Sequence, residues 1–417
     1  MTNYPVQWKT KRLEEVSDVI DPHPSHRAPA IDPNGIPFVG IGDVREDGIA
    51  DFKRARLVSP KILSEHAERY SLETDLIGLG RVASVGKVVK LPKGGIPYTI
   101  SPTLAVISPV EISFDFLYYA LQSPQIQNQL TGLKQGSGRQ SVGILKLRKV
   151  VVPFPPVDEQ NKIVELLEDH LSRLNAALAD VKQVKIKAAQ FRRSLLQAAF
   201  TGNLDSDETR LMNEWQTKTV GEITETQLGK MLNKGKQSGK HSKPYLRTDN
   251  VHWGRFDLSE IKEMDILPEE HDKYLATKGD LLMCEGGASG RTAIWNEDYD
   301  ISFQNHVHRI RPKNPREILP KFLLYYFEWF IKNGYASDLI KGVTISSLSQ
   351  SGLRSIEVTY PPIDEQHEIV ELLEDHLSRL DASVSLAGAM EKQSTGLRRS
   401  LLQAAFTGQL TKEVVSV

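Results

Sequence analysis

The sequence predicts an α+β protein in which two related α/β domains alternate with two long helices, and two internal echoes carry this prediction. The segment DEQNKIVELLEDHLSRL at Asp158–Leu174 returns as DEQHEIVELLEDHLSRL at Asp364–Leu380. RRSLLQAAFTG at Arg192–Gly202 returns unchanged at Arg398–Gly408, and both echoes have the same offset. The chain is therefore a tandem repeat whose copies keep equal length between their near-identical ends.

Composition sets the class of protein. The chain has 417 residues, 40% of them hydrophobic, which is enough for two to four compact domains. No apolar run approaches the roughly 20 residues that a membrane-spanning helix needs, and MTNYPVQWKTKRLEE lacks the apolar core of a signal peptide. We therefore expect a cytoplasmic protein with no membrane partner. The single cysteine, Cys284, excludes a disulfide framework and a multi-thiolate zinc site within one chain.

The divergent parts of the repeat are residues 1–150 and 205–357. Short runs such as GKVVKL, LAVISP and HVHRIRP, set between Gly, Pro and Asn clusters, are typical of strands. FLYYAL from Phe116 matches FLLYYF from Phe322 and indicates a short helix in each copy. Each divergent part is predicted to be one mixed α/β domain.

The near-identical parts, residues 151–204 and 358–417, each predict one long helix. The pairs Pro155–Pro156 and Pro361–Pro362 end whatever precedes them, and Asp158 or Asp364 can cap the helix that follows. Apolar residues then recur at spacings of three and four, which predicts a seam along which the two helices pack on each other as a coiled coil. The predicted seam residues are Val164, Leu167, Leu171, Leu174, Leu178 and Val181 in the first helix, and Val370, Leu373, Leu377, Leu380 and Val384 in the second.

The two helices also agree at positions predicted to be exposed. A helix that served only as a core or oligomerisation element would not require such agreement, whereas two like surfaces would suit two copies of one partner. The candidate docking residues are Glu165, Glu168, Asp169, Arg173, Arg192, Arg193 and Phe200 in the first copy, and Glu371, Glu374, Asp375, Arg379, Arg398, Arg399 and Phe406 in the second.

Charge is distributed unevenly, although 52 basic and 53 acidic residues give a net charge of −1. Residues 116–157, 226–248 and 301–316 contain no Asp or Glu but many Lys, Arg and Gln residues. Lys and Arg neutralise phosphates, and Arg, Asn and Gln can pair with base edges. These stretches, and the matched loops at 132–143 and 340–352, favour a DNA-binding face over plain solvated connections. The candidates are Arg81, Lys134, Arg139 and Gln140 in the first domain, and Lys230, Lys234, Arg247, Asn250, Arg291, Gln304, Asn305, Lys341 and Thr344 in the second.

No motif predicts a catalytic or metal site. Gly78, Gly80 and Ala83 match G-x-G-x-x-A, but the strand-like SVGKVVKLP follows where a dinucleotide site needs a helix. The chain has no G-x-x-x-x-G-K-[ST] phosphate loop, and its Pro-Pro pairs are not in the Asp-Pro-Pro-Tyr or Asn-Pro-Pro-Tyr context of adenine methyltransferases. His306 and His308 lack further ligands at convincing spacing. The sequence therefore predicts a protein that is not itself an enzyme.

Together, FPPVDEQNKIVELLEDHLSRL, YPPIDEQHEIVELLEDHLSRL and the two copies of RRSLLQAAFTG resemble the specificity (S) subunit of type I DNA restriction-modification systems. The resemblance covers essentially the whole chain. It implies that the two domains are target-recognition domains, each reading one half of an asymmetric bipartite site in double-stranded DNA. It also implies that the helices are antiparallel spacers that set the distance between the two half-sites.

The same resemblance implies the partners. Two modification (methyltransferase) subunits would dock on the helices and bring S-adenosylmethionine and the adenine-methylating site. Restriction subunits would add an ATP- and Mg-dependent translocase and nuclease, while this chain itself would bind no cofactor. The competing hypotheses are a two-domain protein scaffold that binds no DNA, and an autonomous nuclease or methyltransferase, for which the sequence offers no motif.

Overall fold

The protein folds as two compact units, each built from both repeats. The computed structural model describes residues 4–5, 7–23, 28–45, 48–136, 138, 140–201, 215–233, 235, 237–286, 289–341 and 347–413. Unit 1 comprises Met1–Lys182 and Gly388–Val417, and unit 2 comprises Gln183–Ala387. The compact units therefore do not follow the order of the repeats along the chain.

The first repeat supplies nine labelled strands and six helices among the residues described. The strands are β1 Lys9–Arg12, β2 Ser17–Ile20, β3 Ile36–Val39, β4 Arg56–Val58, β5 Leu76–Gly80, β6 Val88–Leu91, β7 Thr99–Ile100, β8 Leu104–Pro109 and β9 Val151–Phe154. The helices are α1 Leu13–Val16, α2 Lys61–Ala67, α3 Phe114–Gln122, α4 Pro124–Gly132, α5 Ile144–Arg148 and α6 Val157–Phe200.

The second repeat follows a related order. Its strands are β10 Gln216–Thr219, β11 Thr224–Leu228, β12 Ser242–Leu246, β13 Val251–His252, β14 Arg255–Phe256, β15 Lys262–Asp265, β16 Leu275–Ala276, β17 Leu281–Cys284, β18 Thr292–Ile294, β19 Ile301–Phe303, β20 Val307–Pro312, β21 Ile340–Lys341, β22 Ser347–Leu348 and β23 Glu357–Tyr360. Its helices are α7 Val220–Ile223, α8 His271–Tyr274, α9 Pro320–Lys332, α10 Gln350–Ser355, α11 Ile363–Phe406 and α12 Gln409–Glu413.

The sheets of the two units correspond. Unit 1 has a four-stranded sheet in the order β2-β8-β5-β6 and a three-stranded sheet in the order β4-β3-β7. Unit 2 has four-stranded sheets in the orders β11-β20-β17-β18 and β15-β12-β19-β16. In both units the second sheet contains one parallel pair, β3 with β7 and β12 with β19. These pairs matter for the site because the carboxyl ends of parallel strands lie at the same edge.

Each domain closes its own ends before its long helix begins. β1 pairs antiparallel with β9, and β10 pairs in the same way with β23. The predicted domain ends at residues 150 and 357 therefore exclude or cut the closing strands, which reach Phe154 and Tyr360. Sequence pattern alone cannot show this pairing, because its partners lie at opposite ends of the domain.

A buried glutamine fixes the start of each long helix. The amide of Gln160 donates to the carbonyl of Pro155 at 2.9 Å and accepts from the backbone N–H of Ser113 at 3.0 Å. Gln366 donates to the carbonyl of Pro361 at 2.9 Å and accepts from the N–H of Leu319 at 2.9 Å. Both side chains are fully buried, where an amide needs such partners. Part of the sequence identity at DEQ is therefore structural.

The end of each long helix completes the core that the start of the other helix lines. In unit 1, Ile163, Leu167 and Leu171 of α6 share a core with Leu402 and Phe406 of α11. The rings of Phe116 and Phe406 meet edge to face with centroids 5.3 Å apart. The start of α6 thus lies beside the end of α11, which is the antiparallel order expected from the resemblance.

Unit 2 repeats the arrangement with the helices exchanged. Leu196 and Phe200 of α6 share a core with Val370, Leu373 and Leu377 of α11. Phe200 contacts the rings of Phe322, Tyr326 and Trp329 at centroid distances of 5.3, 5.3 and 5.4 Å. The RRSLLQAAF segment of the first repeat therefore packs into the core of unit 2, which is formed mainly by the second repeat. The same segment of the second repeat packs into the core of unit 1, which is formed mainly by the first repeat.

The predicted seam is only partly a helix–helix seam. Leu167, Leu171, Val370, Leu373 and Leu377 are buried within the domain cores, and Val164 packs against one of them. Leu174, Leu178 and Leu380 are half-buried, and Val181 is buried. Val384 was predicted to be in the seam, but 36% of it is exposed. Apolar periodicity finds the buried stripe without showing which surface covers it.

Among the described residues, no helix combines the length and the apolar character required to cross a bilayer.

Candidate nucleic-acid interface

In unit 1, the tight turn that follows β5 carries the first candidate site. The turn is closed by bonds from the N–H of Gly86 to the carbonyl of Gly80 at 2.9 Å, and from the N–H of Gly80 to the carbonyl of Lys87 at 2.7 Å. Within it, Ala83 adopts a φ of 63°, a left-handed conformation that costs energy for a residue with a Cβ. The turn therefore holds a defined shape at the edge of the domain.

The acid-free loop of the first domain lies against this turn. The N–H of Ala83 donates to the carbonyl of Gln140 at 2.8 Å, and the N–H of Val142 donates to the carbonyl of Arg81 at 2.8 Å. Arg81 and Gln140, which were predicted separately, therefore lie close together in the structure. Arg139 lies outside the described residues.

Unit 2 builds the same site from different residues. The N–H of Gly290 donates to the carbonyl of Cys284 at 2.9 Å, and the N–H of Cys284 donates to the carbonyl of Arg291 at 2.8 Å. The second acid-free loop joins this turn through the N–H of Leu348, which donates to the carbonyl of Glu285 at 2.8 Å. Cys284 and Arg291 thus correspond to Gly80 and Lys87. The side chain of Lys341 and all of Thr344 lie outside the described residues.

Three more candidates of unit 2 lie at the carboxyl ends of the parallel strands β12 and β19. The N–H of Gln304 donates to the carbonyl of Leu246, at 2.9 Å, and the N–H of Asn305 donates to the carbonyl of Lys230, at 3.1 Å. Arg247 directly follows β12, so these residues share one edge. Arg291 reaches the same edge, because its Nη2 donates to the carbonyl of Thr248 at 2.9 Å. Lys234 lies outside the described residues.

Several candidate cations already have intramolecular partners. Arg81 is only 8% exposed, and its Nη2 lies 2.8 Å from Oδ2 of Asp21. The ammonium of Lys230 pairs with Glu270 at 2.5 Å. Arg247 pairs with Asp249 at 3.3 Å. A DNA phosphate would compete with these carboxylates, which weakens the contribution of each cation to backbone affinity.

The remaining candidates are amides and one lysine. The side chain of Gln140 is exposed, whereas Lys134, Gln304 and Asn305 are half-buried. Asn250 is only 3% exposed, and its amide donates to the carbonyls of Asp257 and Glu260 at 2.9 and 3.2 Å. These bonds favour a structural role for Asn250, and its base contact stays a prediction.

Sequence reasoning placed His306 at the surface or facing DNA but missed Glu285, with which it pairs. Nδ1 of the exposed His306 lies 3.2 Å from Oε2 of Glu285. Glu285 follows Cys284 in the turn of unit 2 as Arg81 follows Gly80 in unit 1, so the two units place opposite charges at one position. A carboxylate there can accept from cytosine, whereas an arginine favours guanine. Aligning MCEGGASGR with LGRVASVGK would have revealed this exchange.

The turn of unit 2 contains the single cysteine of the chain. Cys284 is fully buried, and burial raises the pKa of its thiol to about 11, so the thiol stays protonated. No group of three His, Cys, Asp or Glu side chains within the described ranges could hold a metal ion. The turn and loop of each unit are therefore better suited to binding another molecule than to catalysis.

The predicted docking residues on the long helices divide into two kinds. Asp169 pairs with Arg173 at 3.1 Å on α6, and Asp375 pairs with Arg379 at 2.9 Å on α11. Glu165 and Glu371 are exposed, and Glu168 and Glu374 contact Tyr119 and Lys321. Phe200 and Phe406, by contrast, are core residues, only 5% and 0% exposed, so their predicted docking role conflicts with their burial. Their identity in the two copies reflects packing.

Arg192 is also held inside its own unit. Its Nε and Nη2 donate to Oε1 and Oε2 of Glu328 at 2.6 and 2.8 Å, and its Nη1 donates to Asp381 at 3.4 Å. Glu328 is 2% exposed. Burial alone would raise the pKa of this carboxyl, but the guanidinium of Arg192 and the ammonium of Lys332 hold it below its usual range. Arg193 likewise donates to Asn333 at 2.8 Å.

Arg192→Ala is expected to lower the free energy of unfolding of unit 2 by about 3 kcal/mol, because it leaves a buried carboxylate with one partner fewer. Arg398→Ala, at the same position of the identical segment, is expected to cost less than about 0.5 kcal/mol, because the structure gives Arg398 no carboxylate among the described residues. The loss in Arg192→Ala is measured by urea unfolding, with hydrogen exchange in α9 as the probe of unit 2. Equal losses in both variants would contradict this difference.

Comparisons with known proteins agree with this architecture. The family model for the type I restriction modification DNA specificity domain matches residues 5–184 and again 212–384. The EcoBI specificity subunit of Escherichia coli is 26% identical over 287 residues, which are 64% of this chain and 60% of the relative, less than two thirds of its length. The EcoKI specificity subunit of Escherichia coli K12 is 23% identical over 372 residues, which are 85% of this chain and 78% of that subunit.

Solved structures show the same fold. A chain from a type I restriction-modification system, solved to explain complex assembly and conformational transition, superposes with a TM-score of 0.76 at 18% identity and covers 97% of this chain and 99% of its own. The HsdS subunit of Thermoanaerobacter tengcongensis gives a TM-score of 0.57 at 20% identity, with 97% and 98% covered. With two matched domains spanning most of its length, the chain belongs to the family of type I restriction modification DNA specificity proteins.

Proposed function

We propose that this chain is the non-catalytic DNA-specificity subunit of a type I restriction-modification complex. Each unit would read one half of an asymmetric, bipartite site in double-stranded DNA, and α6 and α11 would set the number of unspecified base pairs between the halves. Membership of the family supports sequence-specific DNA recognition as the role of the chain. The assignment of one half-site to each unit is our inference.

One observation carries that inference. The two units present the same turn and loop, closed by equivalent backbone bonds, but fill it with different side chains. Unit 1 offers Arg81 beside Asp21, and unit 2 offers Glu285 beside His306. A scaffold that bound only proteins would not need one backbone shape with opposite charges at the same position. Two domains that recognise different base sequences would need it, because the backbone sets the position on DNA and the side chains determine which bases are bound.

The partners are proposed on the same basis. Two modification subunits would dock on the exposed residues of α6 and α11, and restriction subunits would join the complex. S-adenosylmethionine, ATP and Mg would be bound by those partners. The internal neutralisation of Lys230 and Arg247 supports a division of labour in which partners supply part of the phosphate affinity. The complex would act in the cytoplasm, where its DNA is.

Single-molecule sequencing of adenine methylation tests the function directly. Cells that carry this chain together with its modification subunit are compared with cells that carry the modification subunit alone. We expect methylation at one asymmetric, gapped motif only when this chain is present. The absence of any new motif, with a modification subunit that is active and co-purifies with this chain, would favour the scaffold hypothesis.

Single substitutions test which unit reads which half. Gln140→Ala is expected to relax or alter one half-site only, and Asn305→Ala the other only, because each removes a base-pairing amide worth about 1–3 kcal/mol of discrimination. Asn128→Ala, at an exposed amide of α4, is the matched control and should leave the motif unchanged. Methylation sequencing reads all three. If one substitution altered both half-sites, the assignment of one half-site to each unit would be wrong.

A further inference from the structure

Unit 1 contains a basic pocket of about 700 Å³ that borders the recognition turn at Gly86 and Lys87 but is lined by none of the candidate DNA-binding residues. Four basic residues line the pocket, namely Lys87, Lys90, Arg398 and Arg399. Its polar lining includes the amides Gln122 and Asn175. None of the residues that line it is an Asp or a Glu. The pocket therefore concentrates positive charge in a concave surface.

Two of the four cations are satisfied within the unit. The ammonium of Lys90 lies 2.5 Å from Oδ1 of Asp115, and Lys87 donates to the carbonyl of Val44. Arg398 and Arg399 have no hydrogen bond or ion pair with any residue that the structure describes. The free cations of the pocket are thus the two arginines of the repeated RRSLLQAAFTG segment.

Unit 2 shows what such an arginine binds. In unit 2 the equivalent Arg192 is held by the carboxylates of Glu328 and Asp381. The residue that corresponds to Asp381 is Asn175, since LSRLDA and LSRLNA align directly. The residue that corresponds to Glu328 is Gln122, in a register fixed by Phe322 and Phe116.

Both of those phenylalanines pack against the equivalent helix ends, Phe200 and Phe406, at the same centroid distance of 5.3 Å. Unit 1 therefore replaces both carboxylates of unit 2 by the amides of the same shape. The arginine is retained, but its internal counter-charges are not. A cation left uncompensated in a concave site is a ready partner for an external anion.

We propose that the pocket of unit 1 receives the carboxylate of a Glu or Asp side chain from a docked modification subunit, which takes the place that Glu328 occupies in unit 2. The proposal rests on the proposed function. Unit 2 supplies the argument for a carboxylate, because there the guanidinium fork meets one in two parallel bonds. The two modification subunits would then be held unequally, with one extra ion pair at unit 1.

Restoring the missing carboxylates tests this proposal. The double variant Gln122→Glu with Asn175→Asp gives Arg398 the internal partners that Arg192 has, and so closes the pocket to an outside acid. The control Asn34→Asp with Asn128→Asp adds the same charge to unit 1 at exposed amides that do not line the pocket. A second variant, Arg398→Ala, removes the binding group without adding charge.

Native mass spectrometry and titration with the modification subunit measure the two binding steps. We expect one step to weaken by about 10- to 100-fold in the double variant and in Arg398→Ala, while the other step and the control stay as in the wild type. Two unchanged steps in both variants would overturn the inference and leave the proposed function standing. A wild-type chain that binds no modification subunit would instead overturn the proposed function, and this inference with it.

Measuring DNA binding by the chain alone tests the alternative that the pocket binds a DNA phosphate instead of a protein carboxylate. If the double variant bound DNA more weakly, with a smaller salt dependence than the charge-matched control, and still bound two modification subunits normally, the pocket would hold a DNA phosphate. That result would overturn the carboxylate assignment. An unchanged salt dependence together with one weakened protein-binding step would support it.

Discussion

A chain shortened after Leu397 is expected to lose the fold of unit 1 and to keep that of unit 2, although the deleted residues belong to the second repeat. The deletion removes Leu402, Ala405, Phe406 and Leu410 from the core of unit 1. Burying a Leu or Phe side chain stabilises a fold by about 1.5–3 kcal/mol, so the loss is on the order of 5–9 kcal/mol. That is comparable to the whole stability of a domain.

Hydrogen exchange read by mass spectrometry distinguishes the two units. Exchange should become fast in β8 of unit 1 and stay slow in β20 of unit 2. The matched control is Phe200→Ala in the full-length chain, which should cost about 3–5 kcal/mol in unit 2 instead, because Phe200 packs among three aromatic rings there. Slow exchange in β8 of the shortened chain would show that α11 is dispensable to unit 1.

Four residues inserted into both long helices, between Leu174 and Arg192 and between Leu380 and Arg398, are expected to lengthen the unspecified spacer of the DNA motif by about two base pairs. Four helical residues add about 6 Å, and one base pair spans about 3.4 Å. Both helices need the insertion because each has its two ends in different units. The half-sites should not change, because no residue of either turn or loop is altered.

Methylation sequencing measures the spacer and the half-sites together. Four residues inserted between Thr201 and Trp215, after α6 and before β10, form the control and should leave the spacer as it was. An altered half-site, or an unaltered spacer in a chain that still methylates DNA, would show that the helices do not act as a ruler.

Features that depend on local patterns were predictable. Residues 151–204 and 358–417 were each predicted to contain one long helix capped by Asp158 or Asp364, and the structure has helices at Val157–Phe200 and Ile363–Phe406. Proline pairs and apolar spacing act through neighbouring residues, so they can be read from the chain itself. The duplication and the placement of the acid-free loops in equivalent positions were readable for the same reason.

The candidate site was predictable only in part. Arg81 and Gln140 were chosen from separate stretches, and the backbone bonds between the turn and the loop bring them together. Arg81 was predicted as a DNA-binding residue, but its pairing with Asp21, far away in the sequence, could not be predicted from local pattern. Glu285 was missed because no sequence context marks it, whereas His306 lies in the acid-free stretch 301–316 and was predicted to be at the surface or facing DNA.

The sequence by itself determined that the chain is duplicated, where its long helices run and which of their residues are apolar. Only the tertiary structure decided which core each helix end completes and which charges remain free. The two copies of RRSLLQAAFTG are identical, yet Arg192 is neutralised by Glu328, and Arg398 lines a pocket beside Gln122. The difference lies in residues far away along the chain, because packing and ion pairing are set by neighbours in space.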